Sequence, residues 1–213
     1  MGDLVLWGAS GHGKVVLDVA RGMGRFKTIS FIDDACEEPA REFCGCQVFG
    51  ASRYLQLLKD KGCSQYLVSI GKNEMRAACF QRAFDHGLLP ATLVHPSAVI
   101  SESARLENGT VVMAKVVINA GAQIGKNCIV NTAAVVEHDC RVGDHVHLSP
   151  GVLLGGGVTV HPFAHVGIGA IALPGAEIGE GAIVGAGAVV LHSVPPGATV
   201  VGVPARVLAR ASS

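Results

Sequence analysis

Between Ile100 and Val190 an apolar residue, aliphatic in all but one case, stands at every sixth position: Ile100, Leu106, Val112, Ile118, Ile124, Val130, Val136, Val142, Leu148, Leu154, Val160, Val166, Ala172, Ile178, Val184 and Val190. Two places before many of them sits a second small or β-branched residue, among them Ala98, Ala104, Thr110, Val116, Ala122, Ala134, Val146, Ala164, Ala176 and Ala188. A helix repeats near 3.6 residues and a strand at 2, so neither gives a period of six. A short strand that points alternate side chains inward, then turns a corner through Gly or a polar residue, does give it. Three hexads make one triangular coil, and the sixteen in succession predict a β-helix of just over five coils. Burying one Val, Leu or Ile per hexad contributes on the order of 1.5–3 kcal/mol before chain entropy is counted, so stability resides in the stack.

Upstream, the rule is different. Leu4–Trp7, Thr28–Ile32, Gln65–Ile70 and Thr92–Val94 read as strands, and Lys14–Arg21, Ser52–Lys61 and Asn73–His86 as amphipathic helices. Strand, crossover helix and strand in succession predict a small parallel, Rossmann-like sheet, whose ligands sit beyond the carboxyl ends of the strands. The expected division is an α/β domain over 1–94 and a β-helix domain with a C-terminal tail over 95–213.

The first strand end is Gly8-Ala9-Ser10-Gly11-His12-Gly13-Lys14. It satisfies G-x-x-x-x-G-K but continues with Val15, which has no hydroxyl for magnesium, and its glycine order is not that of the dinucleotide fingerprint. A glycine-rich turn ahead of a helix still offers free N–H groups and partial positive charge to a diphosphate, and a tight structural turn is the alternative. Asp33-Asp34 end the second strand on the same sheet edge. They are placed to accept hydrogen bonds from a base or ribose, or to stand as solvated turn carboxylates.

Composition narrows the classes of partner. Lys plus Arg and Asp plus Glu number 17 each, so no basic field exists for nucleic acid or an anionic membrane. Charged and polar residues interrupt every apolar run below membrane-spanning length. The start, Met1-Gly2-Asp3-Leu4, enters a strand with no basic and apolar leader, so a cytoplasmic location is expected. The seven cysteines show no C-x-x-C spacing; reduced thiols are expected, with Cys128 and Cys140 as small buried hydrophobes in the repeat. Metal ligands could be sought in the Cys44-Gly45-Cys46 pair or in the stacked His147 and His165, eighteen residues apart with His161 nearby; no metal is expected.

Within the repeat, Glu137-His138-Asp139 puts a histidine in a corner, where its ring projects outward beside two carboxylates. A carboxylate beside an imidazole raises its basicity, which suits a general base near neutral pH; a solvated surface histidine is the alternative.

The repeat resembles the left-handed parallel β-helix of the hexapeptide-repeat acyltransferases. The whole chain resembles those that join a nucleotide-sugar domain to it: the N-acetyltransferases acting on UDP-4-amino sugars of the bacillosamine pathway and on GDP-perosamine, with sialic acid O-acetyltransferases as relations. The resemblance implies a homotrimer that takes acetyl-CoA and a nucleotide sugar, with His138 as base and Asp139 tuning it. It implies cofactor contacts at His147, Ile168 and Ala186, a backbone oxyanion donor at Gly156, and sugar-nucleotide contacts at Ser10, Gly11, His12, Asp33, Asp34 and Gly71. The expected reaction is acetylation of the 4-amino group of a 4-amino-4,6-dideoxy sugar. O-acetylation of a sugar or sialic acid, and a non-catalytic nucleotide-sugar-binding trimer, stand as alternatives.

Overall fold

The computed structural model describes residues 2–36, 41–50, 54–55 and 65–208. In the N-terminal part, β1 (Gly2–Trp7), α1 (Gly11–Gly22), β2 (Phe26–Asp33), β3 (Arg41–Phe43), β4 (Cys46–Gly50), β5 (Gln65–Val68), α2 (Asn73–Asp85) and β6 (Leu89–Pro90) build one sheet of order β3-β4-β2-β1-β5-β6. All pairings are parallel except β3 with β4. β1 is central, with β2 and β5 on its two sides, so the loop after Trp7 lies where the strand order diverges. The Cys44-Gly45-Cys46 segment is the hairpin between β3 and β4: Cys44 and Gly45 both have positive φ, 52° and 74°, as a two-residue primed turn requires. The helix expected over 52–61 lies outside the described residues apart from Tyr54 and Leu55.

The C-terminal part is a three-sided prism of one eight-stranded and two six-stranded sheets. Its strands are mostly two residues long, the first side chain pointing out and the second, from Val112 through Val200, buried to 4% exposure or less. The small residue two places earlier is buried as well, and Cys128 and Cys140, 1% and 0% exposed, fill that slot as expected. The prism reaches further than the sixteen hexads at both ends. Leu93–Val94 pairs in parallel with Val111–Val112, which makes it the prism's first rung rather than a strand of the N-terminal sheet. After Val190 a shortened step leads to rungs at Val194 and Val200, and Arg206–Val207 folds back antiparallel on the last one.

Corners follow a strict rule of their own. From Gly109 to Gly187 every sixth residue has positive φ. Eight of these are glycine, but Lys115, Asn127, Ala133, Asp139, His145 and Phe163 hold the same conformation with a side chain, which L-residues adopt rarely.

The two parts share one core, since Leu4, Leu6, Val16 and Leu17 cluster with Leu93, Val111 and the prism interior. Among the described residues no helix is long and apolar enough to cross a membrane.

Candidate active site

Asp139 occupies one of the positive-φ corner slots, with φ 60°, and that bend brings its carboxylate back to the preceding residue. Its Oδ2 lies 2.9 Å from His138 Nδ1. Both side chains are open, 64% and 74% exposed. The hydrogen bond to Asp139, reinforced by its charge and that of Glu137, raises the His138 pKa above the ordinary histidine value. With Nδ1 committed to Asp139, Nε2 is the nitrogen left for chemistry.

Two glycines seat this pair. A Cβ on Gly156 would stand 2.6 Å from His138 Nε2, and one on Gly121 would stand 2.7 Å from Asp139 Oδ1. The imidazole therefore rests directly on the Gly156 backbone. Gly155 N–H donates to Ala172 and Gly157 N–H to His138, while among the described residues nothing accepts from Gly156 N–H. The middle glycine of the triplet thus holds an unused donor beside the ring. Ile168 and Ala186 lie one coil apart in another corner, joined by the Gly187 N–H donating to Ile168 C=O at 2.8 Å; Ile168 is 62% exposed.

His147 stands elsewhere, on the prism face against which the N-terminal part docks. Its Nδ1 lies 3.2 Å from the Gly71 carbonyl, its ring stacks on His165 at 4.7 Å, and the His12 ring centroid is 6.2 Å away. Burial, and then the neighbouring His165, Arg76 and His12, depress its pKa to about 3, and burial with Arg76 depresses that of His12 to about 4. Both are neutral at physiological pH. His12 Nε2 is buried with no partner among the described residues.

In the glycine loop, Ser10 caps α1 by accepting from Gly13 N–H at 3.4 Å. A Cβ on Gly13 would sit 2.4 Å from the Gly8 carbonyl, so the turn closes only with glycine there. Gly11 is exposed, and a Cβ on it meets nothing within 4 Å, so its surface faces open space. Asp33 accepts from the N–H groups of Ala9 and Ala35, both at 2.9 Å, bracing the loop rather than standing solvated. Asp34 accepts from Trp7 Nε1 at 3.1 Å and pairs with Arg82 at 3.0 Å. The structure thus gathers Ser10, Gly11, His12, Asp33, Asp34, Gly71 and His147 at one end of the N-terminal sheet. His138, Asp139 and Gly156 occupy a different corner of the prism, and no hydrogen bond or ring contact between described residues links that corner to the N-terminal part.

Sequence reasoning missed Arg76, which is 1% exposed at the junction. Asn73, Arg76, Phe80 and Ala83 are the buried residues of α2. Their helical spacing was a readable signal that this arginine faces inward.

A prism of six-residue rungs joined to a mostly parallel α/β sheet is a hexapeptide-repeat architecture, and known proteins share it. Residues 3–83 match the model of the PglD N-terminal domain, and residues 121–156 that of the bacterial transferase hexapeptide. A mutant of perosamine N-acetyltransferase from Caulobacter crescentus, solved with CoA and GDP-perosamine, superposes with a TM-score of 0.93 at 41% identity, covering 99% of this chain and 98% of that one. The acetyltransferase domain of PglB from Neisseria gonorrhoeae FA1090, solved with acetyl coenzyme A, gives 0.91 at 38% identity, covering 97% and 98%. UDP-N-acetylbacillosamine N-acetyltransferase of Bacillus subtilis (strain 168) is 37% identical over 119 residues, which span 54% of this chain and 52% of that relative. The chain belongs to this family of nucleotide-sugar N-acetyltransferases, and its prism is a left-handed β-helix.

Proposed function

We propose that the protein transfers the acetyl group of acetyl-CoA to the 4-amino group of a UDP- or GDP-linked 4-amino-4,6-dideoxy sugar in one direct step. The carrying observation is the outward His138, oriented through Nδ1 by Asp139 and laid beside the unpartnered Gly156 N–H. Acetyl-CoA supplies a thioester carbonyl as electrophile. His138 Nε2 takes the proton that the attacking amine loses and returns it to the departing sulfur. The Gly156 N–H donates to the thioester oxygen as it gains negative charge, and Asp139 stabilises the imidazolium that forms between the two transfers. The cofactor's approach is along the exposed corner of Ile168 and Ala186, with His147 on the adjoining face. For the sugar nucleotide, Ser10, Gly11 and His12 offer the α1 N-terminus to the diphosphate, Asp33 and Asp34 stand at the adjacent strand end for the base or ribose, and Gly71 borders the site.

The working unit in this reading is a homotrimer. The outward row Val99, Val117, Val135, Leu153, Ile171 and Val189 is entirely aliphatic, and Leu153 and Val99 are 42% and 64% exposed. The corresponding row on another face, Arg105, Gln123, Arg141, Thr159 and Glu177, is polar. An aliphatic row of this length is the signature of a covered surface. In the proposed trimer, the sugar-nucleotide end of one chain would face the His138 corner of its neighbour.

Thiol release from acetyl-CoA across a panel of UDP- and GDP-linked 4-amino sugars and their 4-hydroxyl counterparts tests the assignment. Turnover is expected with an amine acceptor. Turnover confined to hydroxyl acceptors, or absent throughout, contradicts it.

A further inference from the structure

Arg76 carries its charge into the junction, and among the described residues no carboxylate pairs with it. The guanidinium donates to backbone carbonyls instead: Nε to Asn127 at 2.9 Å, Nη1 to Ile70 at 3.2 Å and Gly71 at 3.1 Å, and Nη2 to His145 at 2.7 Å and Val146 at 3.3 Å. Nη2 also donates to Asn73 Oδ1 at 2.8 Å, and Asn73 Nδ2 in turn donates to the Phe163 and Ala164 carbonyls. An apolar side chain would fill this space without desolvating a cation. What it cannot do is hold carbonyls from the loop after β5 and from two coils of the prism in one rigid fork.

One of those carbonyls carries the consequence. Gly71 C=O, fixed by Arg76, also lies 3.2 Å from His147 Nδ1. A carbonyl only accepts, so Nδ1 carries the hydrogen and Nε2 is the acceptor, 3.3 Å from Asn131 Nδ2. We propose that Arg76 is a positioning residue that couples the sugar-nucleotide end to the prism, setting the Gly71 carbonyl and through it the orientation and tautomer of His147. The groups facing this cation are Glu74 on its own helix, Cys128, His145, His147 and His165 from the prism, and His12 from α1. Burial is the main cause that lowers the pKa of His12, His145, His147 and His165, and the Arg76 charge adds to it.

The structural half of the proposal stands apart from the acetyl-transfer reading, on which only its kinetic half rests. Nitrogen-15 imidazole spectra of the unliganded whole protein, as wild type, Arg76→Lys and Arg76→Met, test the first. Wild-type His147 is expected as the neutral Nδ1–H tautomer down to pH 5. Folded Arg76→Met is expected to lose the single tautomer and to titrate His147 at higher pH. Arg76→Lys keeps the cation without the fork, and is expected to lose the tautomer while staying neutral. In turnover, both variants are expected to raise KM about tenfold, for the nucleotide sugar through Gly71 and for acetyl-CoA through His147, with kcat within about threefold, as lost ground-state positioning does, leaving the acid limb set by His138 in place. An unchanged His147 spectrum in folded Arg76→Met, or unchanged KM in both folded variants, overturns the proposal. If neither variant folds, the wild-type spectrum decides, and an Nε2–H tautomer or titration near the ordinary value overturns it. If the wild type shows no turnover at all, the acetyl-transfer reading fails, and the spectra alone then uphold or overturn the positioning role.

Discussion

At the scale of the residue, the site is a backbone device as much as a pair of side chains. Asp139 reaches His138 because its slot is a positive-φ corner, and the ring stays where it is because Gly156 has no side chain. Gly156 itself does not have positive φ, so alanine fits its backbone and the cost of Gly156→Ala falls on the displaced imidazole. A fall of about 10²-fold in kcat is expected, with acetyl-CoA affinity unchanged by calorimetry, since a misplacement of about 1 Å is enough for such a loss. Asp139→Asn acts through pH. His138 must be neutral to accept a proton, so activity is lost as pH falls through its pKa, and Asp139 raises that pKa. Removing the charge should move the acid limb of kcat/KM to lower pH while turnover at neutral pH drops about 10-fold or more; a limb that stays put contradicts the tuning role. The His138-Asp139 pair was legible because a histidine at a hexad corner has no packing role. The engagement of Asp33 and Asp34 with Ala9, Ala35, Trp7 and Arg82 was not, because a strand-end carboxylate reads the same whether solvated or braced.

At the scale of the element, period six made the prism readable, since each rung repeats the same local solution of one buried aliphatic and one corner. Its two ends were harder to read. Thr92–Val94 has the composition of any short strand, and only its pairing with Val111–Val112 assigns it to the prism. β3 and β4 escaped because three- and five-residue strands around a Cys-Gly turn leave too little alternation to recognise. The outward row through Val135 and Leu153 yields a prediction at this scale. Val135→Glu adds a charge to a side chain that points away from the prism interior, so circular dichroism should be preserved while light scattering reports dissociation of the proposed trimer. A trimer of unaltered mass would place the association surface elsewhere.

At the scale of the whole molecule, the junction of the two parts is where pH and stability meet. His12 and His147 are neutral in the folded protein, with pKa values near 4 and 3, and near 6.5 when unfolded. As pH falls below about 6.5 the unfolded chain takes up protons that the native one refuses, so stability declines down to about pH 4 and then 3. For His12 alone the loss is on the order of 3 kcal/mol. Urea unfolding should therefore show a lower midpoint at pH 5 than at pH 7, with the difference reduced in His12→Asn; equal midpoints would mean that the histidines are not held neutral. The junction was not visible in the sequence, because Arg76, His12 and His147 are far apart along the chain and meet only when the α/β sheet docks on the prism. Everything proposed for the reaction depends on His138 being the base for acetyl transfer. The most direct measurement is the steady-state turnover of His138→Ala against wild type, with acetyl-CoA and the best nucleotide-linked amino sugar both saturating. A loss of about 10²–10⁴-fold with the affinity for both ligands retained is the expected result, and turnover within a few-fold of wild type would contradict it.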